Sequence, residues 1–398
     1  MRRFLLLLFA GVLLWLIGAR AFLPEALPAR ETMAGAQEYN VLTPDLTAVP
    51  HTAGSAVVAE ISAHYIHRIP TEKNEYTGLF EGCNLILICA PDWSPDLGNS
   101  ITCPSACELH REGIRFADVY RPDWYQGAAG REFALLTGLV PTNINGSNAM
   151  LHTGEQNIWL PFSLGHAFSG IGYDTLVSFR ETAHLNAYRA LGFSRRVPAD
   201  ANPLTALIST IPVLEATEPF FACYFWDTAD GEPALAFLLD WLETGGFGEK
   251  TVLCLLTGNG ESHRAQIFLR GPALTPEEVS LPCSEVDIAP TLLNLFGLGY
   301  DSRFLSGRDV FSSSGAMDAA SSITPIVTLY GSAYSDWITP AGSYIAADRL
   351  FWQRQDCFED PKKLSGYVND ICQEVYDRYI YTRKIMETDY FRQIFPGG

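Results

Sequence analysis

Four side chains that could bind a divalent cation lie at separate positions, each close after an apolar segment. They are two carboxylates and two imidazoles: Asp92, His184, Asp230 and His263. Manganese and magnesium ions prefer carboxylate oxygens and accept imidazole nitrogen, and a bound ion lowers the pKa of a coordinated hydroxyl so that it can act as a nucleophile near neutral pH. The alternative is that each histidine is an ordinary surface or hydrogen-bonded residue. The metal hypothesis requires all four side chains to converge in the fold.

Short apolar runs alternating with amphipathic segments would position these residues. The apolar runs are 84–90, 175–179, 220–226, 251–256 and 265–269, and the amphipathic segments include 163–170 and 234–244. Apolar runs of this length are typical of strands buried on both faces. The alternation predicts an α/β fold with a mostly parallel sheet and helices on both faces, in which sites form at the carboxyl ends of the strands.

The N-terminus resembles an export signal. After Met1-Arg2-Arg3, the sixteen residues Phe4 to Ala19 carry no charge, and Arg20 ends the run. This segment is either an uncleaved signal anchor or a signal peptide cleaved after a small residue. Because the basic flank precedes the apolar run, both alternatives place the rest of the chain outside the cytoplasm. The predicted partner of this segment is the cell membrane.

Composition divides the remaining chain into three parts. Residues 24–83 are rich in Ala, Pro, Thr and Glu without a strong period and are predicted to be a stalk that follows the 1–23 signal segment. Residues 84–311 form the predicted α/β domain. Beyond a Ser- and Ala-rich boundary at 312–322, residues 323–398 are predicted to form a small α+β subdomain that completes it, with strands at 326–330, 343–347 and 349–353 and a helix at 361–391.

Charge and composition narrow the range of partners. Hydrophobic residues make up 47% and charged residues 18% of the chain, as in globular proteins, and the formal net charge is -18. Such a charge repels polyphosphates and gives no general attraction to nucleic acid. Nucleic acid is therefore excluded as a predicted partner.

The nine cysteines, an odd number, leave at least one thiol without an intramolecular partner. Cys89, Cys223 and Cys254 lie in apolar runs and are predicted to be small buried side chains. The sequence spacing of Cys103 with Cys107, and of Cys357 with Cys372, suggests disulfides, although spacing alone does not establish the geometry.

Six segments occur in a fixed order between residues 84 and 392. They are NLILI at 84–88, FADVY at 116–120 with REFALLTGLVP at 131–141, GYDT at 172–175, EPFFA at 218–222, EVDIAPTLLNLFG at 285–297 and the ending TDYF at 388–391. In this order they resemble the exported domain of lipoteichoic acid synthases, a branch of the sulfatase and alkaline phosphatase superfamily. The resemblance implies an alkaline phosphatase-like fold. It also implies a phosphoglycerol transferase that uses manganese or magnesium and a threonine nucleophile.

Most of the residues that this chemistry requires are replaced. The family's glutamate after the first strand falls on Pro91, and its nucleophilic threonine falls on Ala128. Its Asp-His pair falls on Asn259 and Gly260, of which only the asparagine keeps a neutral oxygen donor. No confident metal ligand or catalytic residue remains at these positions, so no cofactor is expected.

Two further residues lie near the predicted cleft. The family's histidine, at the end of its "SxxFH" motif, falls on Arg180. Tyr125 carries the only side-chain hydroxyl between Arg121 and Glu132, the segment in which the family has its nucleophilic threonine. Arg180, Arg131 and Asn259 are the candidate contacts to a substrate.

Two hypotheses follow from these replacements. The first is a catalytically inactive, membrane-anchored homologue whose cleft binds a cell-envelope polymer or a partner enzyme. The second is an active phosphoglycerol transferase or ester hydrolase with a relocated manganese or magnesium site built from Asp92, His184, Asp230 and His263. The second hypothesis requires those four side chains to lie within reach of one ion.

Overall fold

The computed structural model describes residues 56–124, 127–179, 181–198, 202–261, 263–312, 325–330, 332–354 and 357–395. The predicted signal segment 1–23 and the first part of the predicted stalk lie outside the described residues. Among the described helices, none is long and apolar enough to cross a membrane.

The described α-helices are α1 (Ala56–Ile66), α2 (Pro104–Glu112), α3 (Ala128–Thr137), α4 (Ala149–Gln156), α5 (Leu164–Gly170), α6 (Leu185–Ala190), α7 (Pro203–Glu215), α8 (Glu232–Thr244), α9 (Ile288–Leu295), α10 (Pro361–Thr388) and α11 (Tyr390–Ile394). The strands are β1 (Asn84–Ala90), β2 (Ile114–Tyr120), β3 (Asn143–Ile144), β4 (Ser147–Asn148), β5 (Asp174–Phe179), β6 (Arg195–Pro198), β7 (Phe220–Phe225), β8 (Thr251–Gly258), β9 (Arg264–Arg270), β10 (Glu277–Val279), β11 (Val327–Thr328), β12 (Trp337–Thr339), β13 (Gly342–Ile345) and β14 (Leu350–Gln353).

Eight strands form one central sheet in the order β10-β2-β9-β8-β1-β7-β5-β6. Its neighbouring strands run parallel except on either side of β9, which is antiparallel to both β8 and β2. The predicted mostly parallel sheet is therefore confirmed. Each apolar run named in the sequence coincides with one of these strands to within two residues at either end.

Strand β1 shows why this sheet is covered on both faces. All seven of its residues are buried, and alternate side chains point to opposite sides. Leu85 and Leu87 belong to an apolar layer shared with α1, α3 and α9. Ile86 and Ile88 belong to a second layer shared with α2, α7 and α8. A strand buried on both sides lies near the middle of a three-layer fold, which leaves its carboxyl end for a site.

The predicted stalk boundary at residue 83 is wrong, because residues 56–83 are part of the folded domain. Helix α1 buries Val58, Ile61 and Tyr65 in the main apolar layer, and Phe80 is fully buried. The sequence did not predict this helix because its Ala-rich segment has only a weak apolar period. The buried face becomes apparent only from the residues against which the helix packs.

The C-terminal region forms the predicted small α+β unit. Strands β11 to β14 make a four-stranded antiparallel sheet in chain order, and the long helix α10 packs on it through Tyr367, Ile371 and Val375. The same helix also contacts α1 and α4. Helix α10 therefore connects the small antiparallel sheet to the main domain, and most of the Ser-rich boundary before this unit lies outside the described residues.

The cysteines are free thiols in this structure, including both pairs suggested as disulfides. Cys107 donates a weak hydrogen bond to the carbonyl oxygen of Leu97, and Cys357 donates one to that of Arg354 at 2.8 Å. Cys89, Cys223 and Cys254 are buried, as predicted.

Candidate functional site

A cavity of about 630 Å³, referred to below as the cleft, opens where strands β1, β5 and β7 end. The residues after these strands form one side, and the start of α3 together with α4 forms the other. The cleft is lined by Cys89, Pro91, Asp92, Ala128, Ala129, Arg131, Glu132, Asn148, Leu151, Glu181, Ala183, His184, Phe225, Trp226 and Asp227. Its place at the carboxyl ends of parallel strands is where sites form in folds of this kind.

Ala128 is the first residue of α3 and lies exposed in the cleft. The turn before it is made by Gly127, whose φ of +57° and ψ of -111° suit glycine. The sequence placed the family's nucleophilic threonine at residue 128. A methyl group offers no lone pair for attack on phosphorus, so the helix brings an inert side chain to this position.

The family's metal-ligand positions supply few atoms that could bind a metal ion. Pro91 lines the cleft, but its carbonyl oxygen accepts a 2.8 Å hydrogen bond from the guanidinium of Arg121. Asn259 is not part of the lining, and its side-chain oxygen accepts from the backbone N–H of Glu261 at 3.0 Å. Gly260 contributes only backbone. Asn259 is therefore not a cleft contact here, contrary to the sequence prediction.

The four residues of the relocated metal site do not come together. Asp92 and His184 line the cleft, whereas Asp230 and His263 do not. Asp230 accepts a 3.1 Å hydrogen bond from the N–H of Glu232 at the start of α8, and the Nδ1 atom of His263 lies 3.7 Å from a carboxylate oxygen of Asp123. Asp230 is therefore bonded within its own loop, and His263 lies beside Asp123 of a separate segment.

The donor set does not fit a divalent cation. Across the described ranges, no group of three or more His, Cys, Asp or Glu side chains is arranged to hold a metal ion. Manganese and magnesium require several charged oxygen ligands converging on one point. Of the four carboxylates that line the cleft, Asp92 alone adjoins Pro91, and it forms no such group with Glu132, Glu181 and Asp227. The relocated site, as predicted from the sequence, is not formed.

The wall of the cleft instead includes a hydrogen-bonded trio of buried polar residues, of which Glu132 and His184 line the cavity and Tyr188 lies in the core. One oxygen of Glu132 accepts a 2.6 Å hydrogen bond from the hydroxyl of Tyr188 and lies 2.9 Å from Nδ1 of His184. Helix α3 supplies the glutamate, and the segment after β5 supplies the other two residues. Glu132, His184 and Tyr188 are 7%, 5% and 0% exposed.

The phenol of Tyr188 is the donor in its contact with Glu132. Burial and the negative charge of Glu132 raise the pKa of Tyr188 well above its usual value, so the phenol stays protonated and donates. The imidazole of His184 faces the same carboxylate oxygen through Nδ1.

Two further side chains in the cleft are held by their surroundings. Burial raises the pKa of Cys89 to about 12, so its thiol is neutral and a poor nucleophile. Arg131, a predicted substrate contact, lines the cleft with its Nε atom 3.5 Å from the fully buried carboxylate of Glu285. The remaining candidate contact, Arg180, lies outside the described residues, as does Tyr125.

Among the charged residues of the cleft lining, the sequence interpretation missed Glu132, Glu181 and Asp227. It also missed Tyr188, a fully buried residue that donates to Glu132. One signal was present, because Glu132 is a lone carboxylate directly before the apolar stretch from Phe133 to Leu136. Nothing local marked Tyr188, which lies 56 positions further along the chain.

The fold and the cleft define a class of protein: an alkaline phosphatase-like α/β fold whose cleft lies at the carboxyl ends of the sheet. No family model and no curated protein matches the sequence. Solved structures do match, and they confirm the resemblance at the level of the fold.

One similar structure is the lipoteichoic acid synthase LtaP from Listeria monocytogenes, with a TM-score of 0.67 and 16% identity, covering 83% of this chain and 98% of that one. Another is an alkaline phosphatase superfamily protein from Vibrio parahaemolyticus, with a TM-score of 0.57 and 14% identity, covering 82% of this chain and 96% of that one. A third, Ps i-CgsB, has a TM-score of 0.53 and 13% identity and covers 80% of this chain and 98% of that one.

Proposed function

We propose that this protein is a membrane-anchored, extracytoplasmic domain of the lipoteichoic acid synthase type that binds a cell-envelope polymer or a partner enzyme without turning over a phosphodiester. The observation that carries the proposal is Ala128, which puts a methyl group at the helix start where the family has its nucleophile. The replaced ligands at Pro91, Asn259 and Gly260 support it, since two of the three lack any side-chain donor.

The Glu132, His184 and Tyr188 trio supports a binding role. Buried polar groups that satisfy one another stiffen the wall of a cleft, and a stiff wall lowers the cost of ordering on ligand binding. The apolar 4–19 segment supports the membrane anchor, since its basic start is typical of a segment whose following chain is exported.

The test is turnover and metal binding by the full chain purified in detergent. With manganese or magnesium present, we expect no release of glycerol phosphate from phosphatidylglycerol and no cleavage of bis-p-nitrophenyl phosphate above the buffer rate. We also expect no metal-dependent rise in melting temperature, because an ion that binds the native state must stabilise it. Metal-dependent turnover would refute the proposal.

A rebuilt variant makes a negative result informative. Pro91→Glu, Ala128→Thr, Asn259→Asp and Gly260→His together restore the donor types of the family. If the scaffold still holds the family geometry, manganese should raise the melting temperature of this variant but not that of the wild type. The single change Ala128→Thr is the matched control, and we expect it to remain inactive because it restores a hydroxyl without a metal site.

A further inference from the structure

Both edge strands of the central sheet are protected against pairing with another chain. Strand β6 carries Arg195, Arg196 and Pro198, and strand β10 carries Glu277 and Glu278. Charged side chains on an edge strand oppose the approach of a second strand, and proline removes a backbone donor. Neither edge of this sheet is therefore suited to binding another strand.

The two edges of the small antiparallel sheet differ from each other. Next to β11, the N–H of Asp123 donates to the carbonyl oxygen of Leu329 at 2.8 Å, so a segment of the main domain covers that edge. Strand β14 at the other edge has the sequence LFWQ, without charge or proline. It pairs with β13, and among the described residues no backbone hydrogen bond joins its other side. Of the four edges in these two described sheets, β14 is the one without such protection.

The register of β14 shows which of its backbone groups face outward. The N–H of Arg354, just after β14, donates at 2.7 Å to the carbonyl oxygen of the residue just before β13, so Arg354 belongs to a hydrogen-bonded pair of the ladder. Hydrogen-bonded pairs alternate along an antiparallel ladder, so Leu350 and Trp352 also direct their backbone groups to β13. Phe351 and Gln353 then direct their N–H and C=O groups to the open edge.

The side chains of β14 alternate between two faces. Phe351 packs beneath α10, with its ring centroid 5.4 Å from that of Trp337. On the opposite face, Leu350 is 39% exposed and Trp352 is half-buried. Ile345 of β13, the partner of Leu350, is half-buried and extends this apolar face. An edge strand with free backbone groups and a partly exposed apolar face is suited to pairing with another strand.

We propose that β14 is a dimerisation surface and pairs antiparallel with β14 of a second copy of this chain. With a twofold axis at Trp352, Phe351 of each copy stands opposite Gln353 of the other, and all of their outward backbone groups are hydrogen-bonded. The two Trp352 side chains then face each other in a pair without hydrogen bonds, the kind in which cross-strand side chains approach most closely.

Charge favours a second copy as the occupant of this edge. The chain carries a formal net charge of -18, so two copies repel each other wherever acidic side chains meet. Strand β14 brings no charged side chain to the pairing, and the proposed register places no like charges opposite each other. A twofold interface uses the same residues from both copies, so it requires a surface that fits itself. This inference does not depend on the chemistry of the cleft.

The experiment is the protein mass of the full chain in detergent, measured by light scattering after size exclusion over a range of concentrations. We expect the wild type to have twice the mass of one chain at high concentration and to dissociate on dilution. A wild type that is monomeric throughout would overturn the inference, even if a different protein proved to pair with β14.

Trp352→Lys tests the position of the interface, because each lysine would face its own copy across the twofold axis. It should weaken the dimer by about tenfold, since like charges replace an aromatic pair. Tyr334→Lys is the matched control, because Tyr334 is 80% exposed in the loop between β11 and β12, outside β14, and this variant should dimerise like the wild type. Unchanged dimerisation of Trp352→Lys, as expected if the N-terminal apolar segment joined the chains, would overturn the inference.

An exchange of charge tests the register. Trp352→Lys mixed with Trp352→Glu should form a mixed dimer more tightly than either variant pairs with itself, because opposite charges then meet at the axis. If both variants are folded by circular dichroism and mixing does not strengthen the dimer, the proposed register is wrong.

Hydrogen exchange of the wild type needs no substitution. The amides of Phe351 and Gln353 should be protected in the dimer and should exchange faster after dilution to the monomer. The amides of Leu350 and Trp352, which point to β13, should change less. Equal exchange of Phe351 and Gln353 in dimer and monomer would contradict the pairing of β14 with its copy.

Discussion

Arg68, just beyond helix α1, forms a two-pronged ion pair with Glu374 near the middle of α10. The two guanidinium nitrogens lie 3.0 and 2.7 Å from the two carboxylate oxygens. Arg378, one turn further along α10, donates a third hydrogen bond to the same glutamate at 2.9 Å. Because Arg68 and Glu374 are 306 positions apart in the chain, this pair joins the start of the folded domain to its C-terminal helix.

This cluster predicts a loss of stability in acid. Burial alone would raise the pKa of Glu374, but the charges of Arg68 and Arg378 outweigh it and lower the pKa to about 2. The native state therefore binds fewer protons than the unfolded state between that value and the usual 4.5. The stabilisation is present above pH 4.5 and is lost as the pH falls towards 2, by up to about 3 kcal/mol.

The measurement is the free energy of unfolding as a function of pH, compared with Glu374→Gln. The variant should be less stable at neutral pH and should lose less stability in acid. Glu387→Gln is the matched control, because Glu387 pairs with Arg383 on the exposed side of the same helix. It should change stability by less than about 1 kcal/mol. Equal acid sensitivity in wild type and Glu374→Gln would contradict the assignment.

The trio in the cleft predicts a measurable cost for removing one hydroxyl. Tyr188→Phe deletes the 2.6 Å hydrogen bond to Glu132 and leaves a buried carboxylate with one fewer donor. Hydrogen bonds to charged groups contribute about 1.5–3 kcal/mol, so urea unfolding should show a loss in that range.

Tyr224→Phe is the comparison for that change. Tyr224 is equally buried, but its hydroxyl pairs with the neutral hydroxyl of Thr210 at 2.7 Å. Its loss should cost about 1 kcal/mol. If the two variants were equally destabilised, the carboxylate of Glu132 would not be the partner that makes the Tyr188 contact strong.

The sequence predicted the parts of the fold that have a strong local pattern. Strand β1 is apolar at six consecutive positions after Asn84, and the structure places it between two apolar layers. Helix α1 was missed because its buried face, Val58, Ile61 and Tyr65, lies in an Ala-rich region whose period is weak. Helix α7 was also not predicted, and it carries Pro212 inside it, a residue that normally argues against a helix.

The cleft was predicted less completely than the sheet, for a physical reason. The family motifs identified Ala128, Pro91 and Asp92 as positions of the site, and all three line the cleft. These residues lie next to predicted strands or helices, so their positions could be read from the sequence. The contact between Glu132 and His184 depends on how α3 packs beside the segment after β5, and no spacing in the sequence encodes that. Asp230 and His263 were grouped with these residues because they follow neighbouring strands, but neither lines the cleft, and their nearest polar partners are Glu232 and Asp123.

The proposed N-terminal anchor can be tested by locating the protein in the cell. The full chain, expressed in a bacterium, should stay in the membrane fraction after an alkaline carbonate wash, and its intact mass should include residues 1–23. Leu13→Arg with Leu14→Arg should release it, since each arginine at the centre of a spanning helix costs about 3 kcal/mol. Secreted protein whose mass lacks the first residues would instead show a cleaved signal peptide.

The backbone conformation of Gly127, in the turn before Ala128, predicts that replacing this glycine destabilises the protein. Its φ of +57° lies in the region that side chains disfavour, yet an added Cβ would meet no atom within 4 Å. Gly127→Ala should therefore destabilise the protein by about 1–3 kcal/mol through backbone strain alone. Gly366, within α10, also has no atom within 4 Å of an added Cβ and has no positive φ, so Gly366→Ala should stabilise the helix by about 0.5–1 kcal/mol. If the two variants change the free energy of unfolding in urea with opposite signs, the turn before Ala128 is held in a conformation that glycine alone adopts easily. Stabilisation by both changes would contradict this account.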